Sequence, residues 1–598
     1  MVSKIIKLFN SEIGGVHQAA FLLGFFTLFA QILGLVRDRA LAHFFGAGLT
    51  LDIYYAAFRV PDLIFATAAS LVSISVIIPF INKAESKYEL NKDGTKSKAA
   101  NNDVRNIMDS LFSSFGLLMI VISTIAFFLM PFLSKYIFKG ISDPTAIGQI
   151  IILSQILLLQ PICLGISNIL GSLTQLRKRF VLYALSPIIY NIAIIFGVFC
   201  LRPTFGIAGV VWGVVIGGLL HFLIQIPFII KERLLPRFVL PWKIDWKLVR
   251  NIFMISIPRT LTLSASMIEL IVLTALAATL SVGSISILSL SFNIQSVPFG
   301  IVGVSYALAA FPTLSAHFAN GEKDKFLSQI ISAVRHVIFW SVPIAAMFIV
   351  LRAQIVRTVL GSGNFNWDNT RLVAACLALF VVSLVAQGLE LLFIRAYYAA
   401  GQTKKPLIIN LISSLITIIA PLGFIWLYRQ DPTFGEFFAR LFRVEGLGGI
   451  EILMLPLGYS LGTIINAFAF WVKFENEFSH GELIRATWRA WLGSIGAGVI
   501  GGFFAYIGLN MFDSVFDLET LRGVFLHGFV AGIIGITASV LVLKLLKSEE
   551  LEEVLVTLQK RIPIVAVFGG WFGGKRAAPV DIVKSGEILV VDPERLEH

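Results

Sequence analysis

The sequence predicts an all-α protein that crosses a membrane many times. Two composition figures carry that prediction: 57% of the 598 residues are hydrophobic and only 14% are charged, where soluble domains carry roughly a quarter charged residues. The mean hydropathy is +0.85. The third observation is arrangement, because apolar runs of about 20 residues, enough to span a hydrocarbon core of about 30 Å, follow one another along the chain. Few residues remain for a soluble domain.

In chain order, about fourteen such runs are separated by polar or Gly/Pro breaks. They lie near 16–45, 51–82, 108–133, 146–175, 180–201, 205–231, 248–282, 284–316, 326–351, 370–400, 404–428, 447–473, 485–509 and 522–545. Lys4 and Lys7 precede the first run as in a signal peptide. No small-x-small cleavage site leads from that run into a polar region, so it is read as a retained span. Basic residues gather in alternate loops: Lys83 to Lys98, Arg177 to Arg179, Lys231 to Lys247, and Lys404 with Lys405. The positive-inside rule places those loops and both termini in the cytoplasm. Arg352, Arg357, Arg440 and Arg443 sit in opposite loops and weaken the contrast. The tail opens with an acidic helical pattern, Lys547 to Arg561, and ends in a short strand-like run, Gly586 to Asp592.

The chain is read as two related halves. LRKRFVLYALSPIIYNIAIIFG, from Leu176, parallels QTKKPLIINLISSLITIIAPLG, from Gln402; a run ending at Pro61 parallels one ending at Pro298. Repeats of about six spans share one orientation, and such paired bundles are a transporter architecture with the substrate at the repeat interface. The expected division is 1–236 for helices 1–6, 237–475 for helices 7–12, 476–546 for two extra helices, and 547–598 for a cytoplasmic tail.

Charge and cysteines exclude other classes. The net charge of +12 comes from loop Lys and Arg that meet anionic lipid headgroups, so no nucleic-acid partner is expected. Cys163, Cys200 and Cys376 lie far apart in apolar runs, giving no disulfide framework, and no metal site or cofactor is expected. No Gly-Lys-Ser/Thr phosphate loop is present.

Polar residues inside the spans line up at helical spacing. Thr27, Gln31, Gly34 and Asp38 form one line with Arg37 beside it; Asp52, Tyr55, Arg59 and Asp62 form a second. Arg259, Thr262, Ser266 and Glu269 make a third, and Ser286, Ser289, Asn293 and Ser296 a fourth. Ionisable side chains within a membrane are costly and face partners or water-filled cavities. Ser, Thr and Gly on such faces serve helix packing as readily. Arginines in a closed cavity suit a diphosphate, whose adjacent oxygens match the guanidinium fork. A membrane-embedded diphosphate points to an isoprenoid-linked sugar, though a polar cavity also suits an organic cation or a peptide.

The stretch QILGLVRDRALAHFFGAGLTLDIYYAAFRVPDL, Gln31 to Leu63, resembles the first two helices of the MurJ (MviN) lipid II flippases. There a Leu-Gly-x-x-Arg-Asp turn leads into Phe-Gly-Ala-Gly, an Asp, and Phe-Lys/Arg-x-Pro. FVLYALSPIIYNI is similar to the family's Pro-x-x-x-Asn segment through Pro187 and Asn191, and YYAAGQTKKP to its Tyr-Ala…Thr-x-x-Pro segment. The resemblance covers about 540 residues and implies a V-shaped, two-lobe bundle of the multidrug/oligosaccharidyl-lipid/polysaccharide flippase superfamily, with a cationic central cavity. Arg37, Asp38 and Asp52 carry over. Gln31 stands where the family has a second arginine, DLIFATAAS replaces an Arg-containing stretch, and Phe292-Asn293 replaces an Asp-Arg pair.

The expected substrate-binding residues are Arg37, Asp38, Asp52, Arg59, Arg259 and Asn293, with Glu269 as an ion-coupling candidate and no catalytic residue. The expected activity is movement of a lipid-linked, diphosphate-bearing peptidoglycan precursor across a bacterial inner membrane, by a monomer alongside other cell-wall synthesis proteins. The alternatives are a cation-coupled drug exporter, a flippase for another lipid-linked oligosaccharide, and a membrane enzyme acting on the same lipid.

Overall fold

The computed structural model describes residues 16–72, 77–78, 80–82, 98–177, 179–232 and 234–561. The side chains of Pro258 and Arg259 are outside that description, as are the loop Lys83 to Lys96 and the strand-like run at Gly586. Among the described residues every regular element is helical. The described residues up to Val542 form one compact unit and those from Leu543 onward a second, the latter containing the acidic helix Glu549–Arg561.

The main helices are α1 (Val16–Phe45), α2 (Leu49–Leu71), α3 (Lys98–Ile137), α4 (Pro144–Leu176), α5 (Val181–Phe205), α6 (Ile207–Lys231) and α7 (Trp246–Ala277). They continue as α8 (Ser284–Ala319), α9 (Lys323–Val350), α10 (Trp367–Val382 with Leu384–Ala399), α11 (Lys404–Gln430), α12 (Ile450–Ser479), α13 (Glu482–Phe512) and α14 (Leu521–Leu545).

Among the described residues, eleven helices are long and apolar enough to cross a membrane, or twelve if the two pieces of α10 form one span. The expected count of fourteen is therefore not reached on those grounds. The two helices outside that count are α1, in which the side chains of 16–23 lie outside the description and the rest carries Arg37, Asp38 and Arg39, and α2, which carries Asp52, Arg59 and Asp62. The expected single span at 370–400 bends by 42°. The bend falls at Ser383, whose hydroxyl donates back to the Phe380 carbonyl at 2.7 Å and competes with the helical ladder. Two amphipathic helices in connecting segments, Arg352–Leu360 and Pro432–Phe442, have no counterpart among the expected spans.

Packing pairs repeat with a fixed offset. In the first half α1 packs on α5, α2 on α4 and α5 on α6; in the second α7 packs on α11, α8 on α10 and α11 on α12. Each first-half partner is six helices before its second-half counterpart. The last two helices join by small residues: Gly501, Ala505 and Gly508 of α13 lie against Ser539, Gly535 and Ala531 of α14. Such faces let backbones approach closely where no hydrophobic driving force separates helix from lipid.

One end of the bundle is sealed where the two halves meet. The Asn364 N–H donates to the His43 carbonyl at 2.9 Å, and the Asn364 side chain donates to the Phe44 carbonyl at 2.7 Å. Arg39, at the end of α1, donates to the Thr358 and Val359 carbonyls at 2.7 and 3.2 Å, so its guanidinium closes the C-terminus of Arg352–Leu360.

Candidate functional site

Beneath that seal lies a cavity of about 280 Å3, lined by α1, α2 and the α4–α5 pair on one side and by α7, α8 and α10 on the other. The α1 line delivers Arg37 to the cavity because its buried side already packs on α5. Arg37 Nη2 lies 2.8 Å from Asp38, and Nε donates to the same carboxylate at 2.9 Å. A third guanidinium nitrogen reaches Asn191 of α5 at 3.4 Å.

Asp38 is 2% exposed and stands behind Arg37, where its other oxygen accepts from the Asn293 amide of α8 at 3.0 Å. A chain Asn191–Arg37–Asp38–Asn293 thus runs from the first half to the second. Asp38 fixes the orientation of Arg37, leaving part of the fork facing the cavity.

Arg59 is 8% exposed and donates to the Ser289 hydroxyl of α8 at 3.0 Å. Its Nε–H is buried with no hydrogen-bond partner. Asp62, one turn further along α2, also lines the cavity, with Tyr54, Gln160 and Tyr190. Arg37 and Arg59 therefore give the chamber two guanidinium groups, one with a buried donor unspent. An unspent charged donor is expensive in a dry site, and an anionic oxygen in the chamber would satisfy it.

Asp52 does different work. Its carboxylate accepts the Gly283 N–H at 2.6 Å and the Ser286 N–H at 2.7 Å, and also the Ser286 hydroxyl. It caps the first turn of α8 from the neighbouring helix, where free N–H groups and the helix dipole favour a negative charge. It does not line the cavity.

Glu269 faces away from the cavity lining as well. It accepts the hydroxyl of Ser414 on α11, inside the second half, and lies within electrostatic reach of Glu390 on α10. Arg259 is on α7, with its side chain outside the description. No group of three or more His, Cys, Asp or Glu residues positioned for a metal occurs among the described residues.

Sequence reasoning passed over Gln160 and Glu390. Both were visible as lone polar residues in the apolar runs LLLQPICL and QGLELLF, the same sign that drew attention to Glu269.

Known proteins share this arrangement of helices. The family described as lipid II flippase MurJ matches residues 41–514. The chain belongs to that family. A lipid II flippase MurJ of Burkholderia cenocepacia is 23% identical over 472 residues, covering 78% of this chain and 88% of that protein. A probable lipid II flippase MurJ of Haemophilus influenzae is 28% identical over 408 residues, covering 67% and 78% respectively. Among solved structures, a MurJ in an inward closed conformation superposes with a TM-score of 0.65 at 21% identity, covering 88% of this chain and 99% of that one. An inward-facing multidrug MATE-family transporter gives 0.59 at 14% identity, covering 76% and 96%. These MurJ and MATE likenesses establish the shared fold.

Proposed function

We propose that this MurJ-family chain moves a lipid-linked, diphosphate-bearing peptidoglycan precursor of the lipid II type from the cytoplasmic to the outer leaflet of a bacterial inner membrane. The observation that carries the proposal is the interfacial cavity in which Arg37 and Arg59 face one space between two halves of a transporter. The relatives named above, as MurJ proteins, fix the substrate class proposed.

The mechanism follows from the site. Arg37, held by Asp38, and Arg59, with its unspent Nε–H, bind diphosphate oxygens through charge-assisted hydrogen bonds. Asn293 and Ser289 reach these groups from α8, so binding pulls the two halves together at one level. Arg259 stands on α7 eleven residues before the wall residue Leu270, about 16 Å along the helix, and its proposed role is to meet the substrate before it reaches the cavity. Asp52 holds the α2–α8 seal, and releasing that cap lets the sealed end open while the other end closes.

No bond is made or broken in this cycle, so the chain acts as a transporter without catalysis. It works as a monomer with both termini in the cytoplasm, beside the enzymes that make and use its substrate. Its proposed lobes are residues 1–236 and 237–475, with 476–546 and 547–598 as additions.

One observation favours a second reading. Glu269 and Glu390 place two carboxylates together inside the second half, away from the cavity, as a cation-coupled exporter would require. The deciding experiment is expression in cells depleted of their own lipid II flippase. Restored peptidoglycan synthesis supports the proposal; failure with normal membrane insertion favours drug export or another lipid-linked oligosaccharide.

A further inference from the structure

A second cavity, of about 870 Å3, opens between the end of α9, the start of α10, the helix Pro432–Phe442 and the outer half of α13. Its upper wall carries Arg352, Arg371 and Arg443, and its lining contains no acidic residue. These are largely the arginines that weakened the charge contrast between loops. Among the described residues none of the three is in an ion pair, whereas neighbouring Arg440 pairs with Glu436 and Glu445.

Their hydrogen bonds leave donors free. Arg352 gives one N–H to the Ile349 carbonyl at 2.8 Å, and Arg443 gives one to the Tyr506 hydroxyl at 3.4 Å. Arg371 donates twice to the Arg443 carbonyl, which fixes that turn against α10. Burial and the nearby charge of Arg443 push the Arg352 guanidinium below its ordinary pKa. Two cations facing one another over a cavity without a carboxylate are held at a cost that an anion would remove.

Below the arginines the wall turns apolar and open to lipid. Val499 is 66% and Phe503 60% exposed on α13, and both line the cavity. Trp367 marks the level of the interface at the start of α10, where aromatic belts form. Cations at span ends above an exposed apolar groove match a charged headgroup above an acyl chain.

We propose that this cavity is a binding site for an anionic membrane phospholipid, with its phosphodiester between Arg352 and Arg443 and an acyl chain along Val499 and Phe503. On the proposed orientation the site belongs to the outer leaflet. It is separate from the cavity of Arg37 and does not depend on what that cavity carries.

The test uses the purified full chain, stripped of lipid and offered phosphatidylglycerol, phosphatidylcholine or inorganic phosphate, with retained lipid read by native mass spectrometry. Phosphatidylglycerol should be retained, and the double variant Arg352→Gln/Arg443→Gln should hold it about a hundredfold more weakly, since each of the two lost charge-assisted bonds is worth about a factor of ten. Equal retention by the variant overturns the proposal. Equal retention of phosphatidylcholine overturns it too, because the arginines would then select nothing. Equal retention of inorganic phosphate overturns the lipid occupant and leaves a simple anion site. Because the variant alters a packed turn, a photoactivatable phosphatidylglycerol is also cross-linked to the unaltered chain. Adducts on residues 346–354 and 498–509 support the site, and adducts only elsewhere overturn it.

Discussion

The carboxylate of Asp52 lies 2.6 Å from the backbone nitrogen of Gly283, so a residue near the start of α2 holds the turn that begins α8. Asp52→Ala leaves two backbone N–H groups and one hydroxyl without their acceptor. Loss of such a cap costs about 1–2 kcal/mol. Asp52→Asn keeps an acceptor oxygen but loses the charge, so its loss should be smaller. Both variants should melt at lower temperature than the wild type, in the order Ala, Asn, wild type. Because the cap joins the halves, reporter cysteines near Gly48 should also gain labelling by a soluble thiol reagent in Asp52→Ala.

Gly283 itself is the second point of failure. Its φ of +93° suits glycine, and an added Cβ would stand 2.5 Å from the Ala47 carbonyl oxygen. Gly283→Val combines left-handed strain of about 1–3 kcal/mol with that clash. The strain belongs to the sealed arrangement, so the variant should favour conformations in which the α1–α2 turn and α8 separate. Thiol labelling at the seal should rise. Unchanged labelling with a lowered melting temperature would mean that the turn stays together in every state.

Arg37 has two carboxylates close to it in sequence, Asp38 and Asp52, and the geometry chooses between them. Asp38 lies 2.8 Å from its guanidinium, while Asp52 caps α8. Arg37→Ala strands a buried carboxylate, at a cost of about 3–5 kcal/mol. Arg37→Ala with Asp38→Asn should recover most of that stability. If the guanidinium binds diphosphate, the double variant remains inactive. Arg37→Lys keeps charge without the fork and should flip slowly. Thermal shift measures stability, and outer-leaflet precursor labelling measures flipping; recovery of both in the double variant would reduce Arg37 to a structural role.

The fold was legible where one physical rule dominates. Apolar length identified α1, α4 to α9, α11, α13 and α14 within about five residues, because a helix must satisfy its backbone inside lipid, while α3 begins ten residues before its expected run and α12 ends six residues after its own. The bend at Ser383 was hidden, since nothing distinguishes that serine from those that pack quietly in α8. In the site, helical spacing brought Asp52, Arg59 and Asp62 to one side of α2, yet Asp52 serves the seal and Arg59 the cavity. Spacing along a helix gives the face; it does not give the level at which a partner helix begins. Gly283 starts α8 opposite Asp52, and that register is set by the packing of two distant segments.

The last prediction concerns energy. A diphosphate carried outward from an inside-negative cell moves downhill by about 2.3 kcal/mol per charge per 100 mV. In the empty chamber Asp38 and Asp62 offset Arg37 and Arg59, so the field acts chiefly on the loaded diphosphate. Flipping in liposomes should therefore speed up when an inside-negative potential is imposed and slow when it is collapsed. The carboxylates of Glu269 and Glu390 lie outside the chamber, so Glu269→Gln should leave this voltage dependence in place. If turnover instead ignores the potential, follows a sodium or proton gradient and loses that dependence in Glu269→Gln, the energy enters through the carboxylate pair. The gradient would then drive the second half, with α7 linking Glu269 to Leu270 and Leu273 in the cavity wall.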